Sequence, residues 1–229
     1  MKYFIITGMG RCATRWLASM LSQFGEVDVD FEPFRALSGL TSTFEQWRYK
    51  PRPDKELDAS TVKVIVGMVN NYARLYLKEL KRELPNCKWI FVWRDPLTLI
   101  RSLVIRRSVQ KTFYYDDMTW DEKIRFTTRQ IFGDLESMLA QAEFYSLNPT
   151  NFNMAEYITK DGFIRLARSC GVEIKDREVK MLPIENKTKD FTIPPCEEWD
   201  ESIKDYIYDI VYNLPLVGKV YRRVGIRVY

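Results

Sequence analysis

The chain has 229 residues, of which 46% are apolar, 14% aromatic and 29% charged. This composition suffices for one ordinary hydrophobic core. It excludes a disordered tail, a collagen-like chain and a disulfide-stabilised mini-protein, and the length predicts one compact unit. A net charge of +4 is compatible with an anionic ligand but is too small to indicate nucleic acid.

The chain contains no histidine, which excludes Ser-His-Asp and Cys-His nucleophile pairs and any histidine base or metal ligand. Catalysis would therefore use carboxylates, Lys, Arg, Tyr or Cys. No apolar run is long enough to cross a bilayer and no signal-peptide core opens the chain, so we expect a soluble, cytoplasmic protein. Reduced thiols are the simplest interpretation of the widely spaced Cys12, Cys87, Cys170 and Cys196.

The first part of the chain alternates between strand and helix patterns. Tyr3 to Thr7 predicts a strand that ends in a glycine turn, and Thr14 to Phe24 has apolar residues at helical spacing. Further strands are predicted at Val27 to Phe31 and Thr61 to Val69. The irregular segment between them, from about residue 35 to 60, is typical of a lid over a site or a surface excursion.

The rest of the chain contains one more strand and several helices. Lys88 to Trp93 is a nearly unbroken apolar run, as expected for a strand covered on both faces of a parallel sheet. Helices are predicted at Tyr72 to Leu84, Pro96 to about Val109, Trp120 to about Glu143, Asp161 to Cys170 and Glu198 to Leu214. The order of elements predicts an α/β fold with three α/β/α layers, a central parallel sheet and a P-loop-like arrangement.

The turn after the first strand is a candidate phosphate-binding loop. Gly8 to Arg15 lies where a helix N-terminus would present N–H groups and a positive dipole end to an anion. A nucleoside triphosphatase would have Gly-Lys-Ser/Thr at the end of this loop, but the chain has Ala13, Thr14 and Arg15. Backbone donors with Arg11 and Arg15 would suit sulfuryl transfer without a metal, because a sulfuryl group carries less negative charge than a phosphoryl group. The alternative is an ordinary turn that carries two arginines.

Residues 10 to 17 resemble the first motif of sulfotransferases that depend on 3′-phosphoadenosine 5′-phosphosulfate (PAPS), approximately Pro/Gly-Lys/Arg-Ser-Gly-Thr-Thr-Trp/Leu-Leu. Cys12, Ala13 and Arg15 replace the Ser, the Gly and the second Thr of this motif. The cofactor-binding residues that the resemblance implies are Gly10, Arg11, Cys12, Ala13, Thr14, Arg15 and Trp16.

The resemblance implies different roles within this loop. The backbone N–H groups of residues 12 to 15 and the Thr14 hydroxyl would hold the 5′-phosphate. Arg11 would be catalytic, stabilising charge on the sulfuryl oxygens and on the departing phosphate oxygen. Trp16 occupies the position whose ring stacks on adenine, although a core tryptophan is an almost equal alternative.

The second motif is Arg94-Asp95-Pro96 with Ser102 eight positions after the arginine. Arg94 ends a buried strand and Ser102 lies two turns into the next helix, at the edge where open α/β sheets bind ligands. In the sulfotransferases, the Arg and Ser of Arg-Asp/Asn-Pro-x-x-x-x-x-Ser hold the 3′-phosphate, which implies that role for Arg94 and Ser102. The alternatives are a simple strand-to-helix turn and a magnesium-binding Asp95.

A general base must accept the proton of the attacking group, and without histidine a carboxylate is required. Glu32 follows the second strand, and the Phe-Glu-Pro sequence there resembles that of carbohydrate sulfotransferases, which implies Glu32 as the catalytic base. A surface or capping carboxylate is the alternative, since Asp28 and Asp30 lie nearby.

The resemblance is specific over about residues 1 to 110 and is nearest to bacterial and carbohydrate-directed sulfotransferases. It implies PAPS as co-substrate, 3′-phosphoadenosine 5′-phosphate (PAP) as product, no metal, and a small-molecule or carbohydrate acceptor, without nucleic-acid or membrane partners. Lys187 and Lys189 lie where the family often closes a loop over the cofactor, but a solvated loop is favoured. The residues that are candidates to form one wall of the acceptor site are Phe34, Arg35, Trp47, Arg48 and Tyr49.

Two other functions remain open from the sequence. A metal-dependent P-loop kinase would share the sheet topology and the first turn, although its Gly-Lys-Ser/Thr is missing. A non-catalytic polyanion-binding module would use dispersed cations that more often form a solvated face, namely Arg101, Arg106, Arg107, Arg222 and Arg223.

Overall fold

Five parallel strands form the central sheet in the part of the chain that the computed structural model describes, which comprises residues 2–32, 65–109, 115, 117–174, 179–184 and 193–226. Their spatial order is β2-β3-β1-β4-β5, and every pairing is parallel. The predicted α/β fold is therefore confirmed. The strands are β1 (Lys2–Gly8), β2 (Val27–Phe31), β3 (Ile65–Val69), β4 (Lys88–Trp93) and β5 (Thr150–Asn153).

Helices cover both faces of this sheet. Helix α1 packs on β2 and β3, and its Trp16, like Phe24 in the turn that follows, contacts Phe163 of α6. Helix α4 packs against α2, α3, α7 and α8. No described helix is long and apolar enough to span a bilayer. The helices are α1 (Thr14–Leu21), α2 (Leu77–Glu83), α3 (Pro96–Val109), α4 (Trp120–Phe144), α5 (Met154–Tyr157), α6 (Lys160–Cys170), α7 (Glu201–Asn213) and α8 (Pro215–Arg223).

The strand order makes the carboxyl ends of β1 and β4 the candidate ligand-binding edge of the sheet. The chain leaves β1 towards β2 on one side, whereas it leaves β4 towards β5 on the other. Ligands of open α/β sheets bind where the connections diverge in this way. Strands β1 and β4 approach closely there, because a Cβ on Gly8 would lie 2.4 Å from the Val92 carbonyl oxygen. The glycine turn after β1 therefore allows the two strand ends to meet.

Several predicted boundaries are wrong. The helix expected from Tyr72 to Leu84 is a 3-10 turn (Asn71–Leu75) followed by α2, because Tyr76 leaves helical geometry with φ −133° and ψ 30°. Helix α7 begins at Glu201, where the Asp200 side chain accepts a hydrogen bond from the Ser202 N–H. The sequence patterns did not identify β5, α5 or α8, and the expected excursion at residues 35 to 60 lies outside the described residues.

Candidate active site

The loop between β1 and α1 has the backbone form of an anion-binding nest. Arg11 has φ 78° and Ala13 has φ 48°, while Cys12 between them does not have a positive φ. Alternation of this kind turns successive N–H groups towards one concave side. Ala13 is the N-cap residue of α1, and its side chain makes no capping hydrogen bond. The first N–H groups of α1 therefore receive no acceptor from the N-cap side chain.

Ala13 adopts a left-handed conformation, which costs a non-glycine residue about 1–2 kcal/mol. A glycine also lowers the free energy of unfolding by about 0.4–1 kcal/mol, because it makes the unfolded chain more disordered. Relief of the left-handed strain outweighs this cost, so Ala13→Gly should stabilise the protein by roughly 0.5–1 kcal/mol. Urea denaturation will measure this as a higher midpoint at unchanged slope. Ala18→Gly, in the helical part of α1, is the matched control and should be destabilising by about 1 kcal/mol. Equal destabilisation by both changes would contradict the argument.

The side chains of Arg11, Arg94 and Ser102 come together beside this loop. The Arg11 Nε donates a hydrogen bond to the Ser102 hydroxyl at 2.8 Å. The Arg94 Nη1 donates to the Arg11 carbonyl oxygen at 2.8 Å, and its Nε donates to the Thr98 hydroxyl at 3.1 Å. Burial, followed by the charges of Arg106 and Arg94, lowers the pKa of the Arg11 guanidinium. The two sequence motifs therefore form one cationic cluster that an anion would stabilise.

Asp95 serves as a helix cap. Its Oδ1 accepts a hydrogen bond from the Thr98 N–H at 2.9 Å, which satisfies one of the free donors at the start of α3. This capping bond fixes the turn between β4 and α3 and directs Arg94 towards the first loop. The geometry agrees with the strand-to-helix turn that the Arg94-Asp95-Pro96 sequence predicts.

The Glu32 carboxylate connects to the first loop through Asn71. The Asn71 Nδ2 donates to the Glu32 Oε1 at 2.9 Å and to the Thr14 hydroxyl at 3.3 Å. Only the donor end of the amide satisfies a carboxylate, so this pairing fixes the orientation of the Asn71 side chain. Glu32 itself has φ 45°, and its N–H donates to the Val69 carbonyl oxygen.

Asn71 is a site residue that the sequence reasoning missed. It is 8% exposed, and its buried Oδ1 has no hydrogen-bond partner among the described residues, whereas buried amide oxygens are normally satisfied. The signal was present in the sequence as Asn70-Asn71 directly after an apolar strand, at the carboxyl edge of the sheet. Asn70 instead caps the following 3-10 turn.

Three other residues of the predicted cofactor site make contacts outside the cluster of Arg11, Arg94 and Ser102. Trp16 is buried, its Nε1 donates to the Leu182 carbonyl oxygen at 2.8 Å, and its ring contacts Phe163. This favours the core alternative for Trp16 over adenine stacking. Burial raises the pKa of the Cys12 thiol to about 12, so Cys12 is available to an anion only through its backbone. The exposed Arg15 guanidinium lies over the Phe31 ring, 5.2 Å from its centroid.

The dispersed arginines make separate contacts. Arg101 donates to the Ile193 and Pro194 carbonyl oxygens, both at 2.9 Å. Arg107 donates to the Thr127 hydroxyl and Arg222 lies over the Tyr212 ring. The following candidate residues lie outside the described residues: Phe34, Arg35, Trp47, Arg48, Tyr49, Lys187 and Lys189.

Two solved sulfotransferase structures share this fold. A crystal structure of a sulfotransferase from Alicyclobacillus acidocaldarius aligns with 99% of this chain and 97% of its own, with a TM-score of 0.56 and 12% identity. Mouse sulfotransferase SULT7A1, crystallised in complex with PAP, aligns with 98% of this chain and 88% of its own, with a TM-score of 0.66 and 11% identity. No family model and no curated protein sequence matches the chain. The protein thus has a sulfotransferase-like α/β fold.

Proposed function

We propose that the protein is a PAPS-dependent sulfotransferase that transfers a sulfuryl group to a hydroxyl or amine. The convergence of Arg11, Arg94 and Ser102 beside the N-terminus of α1 is the observation that supports this proposal most strongly. A nucleotide with phosphates at its 3′ and 5′ positions needs two anion sites on one surface. Backbone donors at one site and an Arg-Ser pair at the other fit such a group.

The proposed assignment divides these groups between the two phosphates. Arg94 and Ser102 would hold the 3′-phosphate, while the N–H groups of residues 12 to 15 and the Thr14 hydroxyl would hold the 5′-phosphate. PAPS would supply the sulfuryl group. The Arg11 guanidinium, which donates to the Ser102 hydroxyl, would stabilise negative charge that develops on the transferring group and on the departing phosphate oxygen.

Glu32 would accept the proton of the acceptor as the oxygen or nitrogen attacks sulfur by in-line displacement. The Asn71 amide donates to one oxygen of this carboxylate and so orients the group, and a carboxylate oxygen is a suitable acceptor for that proton. The acceptor would bind over the carboxyl ends of β2 and β3, next to Glu32. A carbohydrate acceptor is favoured by the resemblance around Glu32.

The decisive experiment is a calorimetric titration with PAP in the absence of metal. Wild type should bind PAP, and Arg94→Ala should bind it about 30-fold more weakly, since a charged hydrogen-bond donor contributes about 2 kcal/mol. Arg82→Ala is the matched control, because Arg82 ends α2 at the opposite edge of the sheet. If wild type binds no PAP, or binds only a nucleoside triphosphate with magnesium, the kinase alternative replaces this proposal.

A further inference from the structure

Three backbone carbonyl groups in the two anion-binding segments are each held by a side chain. Arg94 binds the Arg11 carbonyl oxygen, as described above, and the Tyr157 hydroxyl donates to the Cys12 carbonyl oxygen. The Tyr221 hydroxyl donates to the Arg94 carbonyl oxygen at 3.1 Å. These contacts join the first loop and the end of β4 to α5 and α8 in the C-terminal half of the chain.

Holding a carbonyl oxygen also sets the direction of the next N–H group. The peptide unit is planar and trans, so its N–H points away from its C=O. The bond from Tyr157 to the Cys12 oxygen therefore aims the Ala13 N–H in the opposite direction. The bond from Tyr221 likewise fixes the backbone from which the Arg94 side chain extends. A carbonyl oxygen that turned towards the concave side of the loop would instead repel a phosphate.

Both tyrosines are rigid supports. Tyr157 and Tyr221 are fully buried, and Tyr221 packs edge-on against Trp93 and Phe132, with centroids 5.7 and 6.1 Å away. Burial raises the pKa of both phenols well above the ordinary value. The hydroxyl groups thus stay protonated at neutral pH and can keep donating.

We propose that Tyr157 and Tyr221 are positioning residues for the nucleotide, Tyr157 for the 5′-phosphate loop and Tyr221 for the 3′-phosphate arginine. This inference rests on the proposed function, because it assigns one tyrosine to each phosphate of PAP. It also gives the C-terminal half a role in cofactor binding, although neither tyrosine faces the cofactor itself.

The test compares two ligands by calorimetry, PAP and adenosine 5′-monophosphate (AMP), which lacks the 3′-phosphate. Tyr157→Phe should weaken binding of both ligands by about tenfold, because the loop that holds the shared 5′-phosphate loses its support. Tyr221→Phe should weaken PAP by about tenfold and leave AMP within about twofold of wild type. 4-Aminophenylalanine at position 157 retains a donor and should restore most of the affinity.

Tyr115→Phe is the matched control. Tyr115 is also buried, and its hydroxyl forms a 2.6 Å hydrogen bond with the Thr127 hydroxyl of α4, away from both loops. This change should lower the urea midpoint but leave the PAP affinity unchanged. If Tyr157→Phe does not fold, 4-fluorophenylalanine at position 157 fills the space of the hydroxyl without its proton and should give the same loss of affinity.

Three outcomes overturn different statements. If wild type binds no PAP, the proposed function fails, and the assignment of the tyrosines fails with it. If wild type binds PAP and both folded tyrosine variants bind it within about twofold of wild type, as Tyr115→Phe does, the tyrosines are merely structural. Equal weakening of AMP by the two variants would overturn the assignment of one tyrosine to each phosphate.

Discussion

Glu32→Gln should reduce the turnover number for sulfuryl transfer by about 10²–10⁴, the usual contribution of a general base. The amide keeps the size of the side chain and can still accept the hydrogen bond from Asn71 through its oxygen, but it cannot take a proton at neutral pH. PAP affinity should stay within about twofold of wild type, because the Asn71 amide lies between the Glu32 carboxylate and the Thr14 hydroxyl. The assay is transfer of radiolabelled sulfate from PAPS to whichever sugar or phenol wild type sulfates fastest.

A neighbouring carboxylate provides the control for Glu32. Asp28 lies near the start of β2, the strand that Glu32 follows, and is away from the carboxyl edge, so Asp28→Asn should leave turnover within about threefold of wild type. If Glu32→Gln and Asp28→Asn are equally active, Glu32 is not the general base. If only Asp28→Asn loses activity, Asp28 on β2 replaces Glu32 as the candidate base.

Much of the fold was predictable because its signals are local. The apolar run from Lys88 to Trp93 and the alternation from Val27 to Phe31 give the observed bounds of β4 and β2. Helix α4 begins within a capping box in which Thr119 and Glu122 satisfy each other's backbone donors. These elements depend on side chains a few residues apart, so a sequence pattern suffices to place them.

The missed parts of the fold depend on contacts that are distant in sequence. Strand β5 is only Thr150–Asn153, a short and mostly polar edge strand, and it is held by pairing with β4 and by the Trp93 Nε1 bond to Asn151 at 2.7 Å. Apolar residues at helical spacing cannot reveal the break at Tyr76, because the same side chains pack on the core from either conformation.

The candidate site divides in the same way. The sequence predicted that Arg94 and Ser102 could reach one anion at the carboxyl edge of the sheet. It did not predict that Arg11 donates to the Ser102 hydroxyl or that Arg94 donates to the Arg11 carbonyl oxygen. The sequence did not predict Asn71 or the two supporting tyrosines, because each acts through a partner between 39 and 145 residues away. The αL conformation of Ala13 was equally hidden, as alanine carries no signal for a positive φ.

Arg11→Ala should reduce turnover about 10³-fold, comparable with the loss of a transition-state arginine in phosphoryl transfer. The reason is that Arg11 is held in place before the reaction by Ser102, in a partly buried cluster where a fixed charge acts strongly. PAP affinity should fall only about tenfold, because Arg94 and the loop N–H groups remain. Turnover and calorimetric affinity measured on the same preparation will separate the two effects.

Arg11→Lys tests whether charge or geometry carries this effect. An ammonium ion at position 11 restores the charge but titrates, whereas a guanidinium does not lose its proton in proteins. Burial and the charges of Arg106 and Arg94, which lower the pKa of the Arg11 guanidinium, would also lower that of the lysine. Turnover of Arg11→Lys should therefore be partly restored at neutral pH and should fall as the pH rises, while wild type shows no such loss from this position. Arg106→Ala is the control, because removing that neighbouring charge should shift the alkaline loss of the Arg11→Lys variant to higher pH. A turnover number for Arg11→Ala within about tenfold of wild type would show that Arg11 binds the nucleotide without acting in the transfer itself.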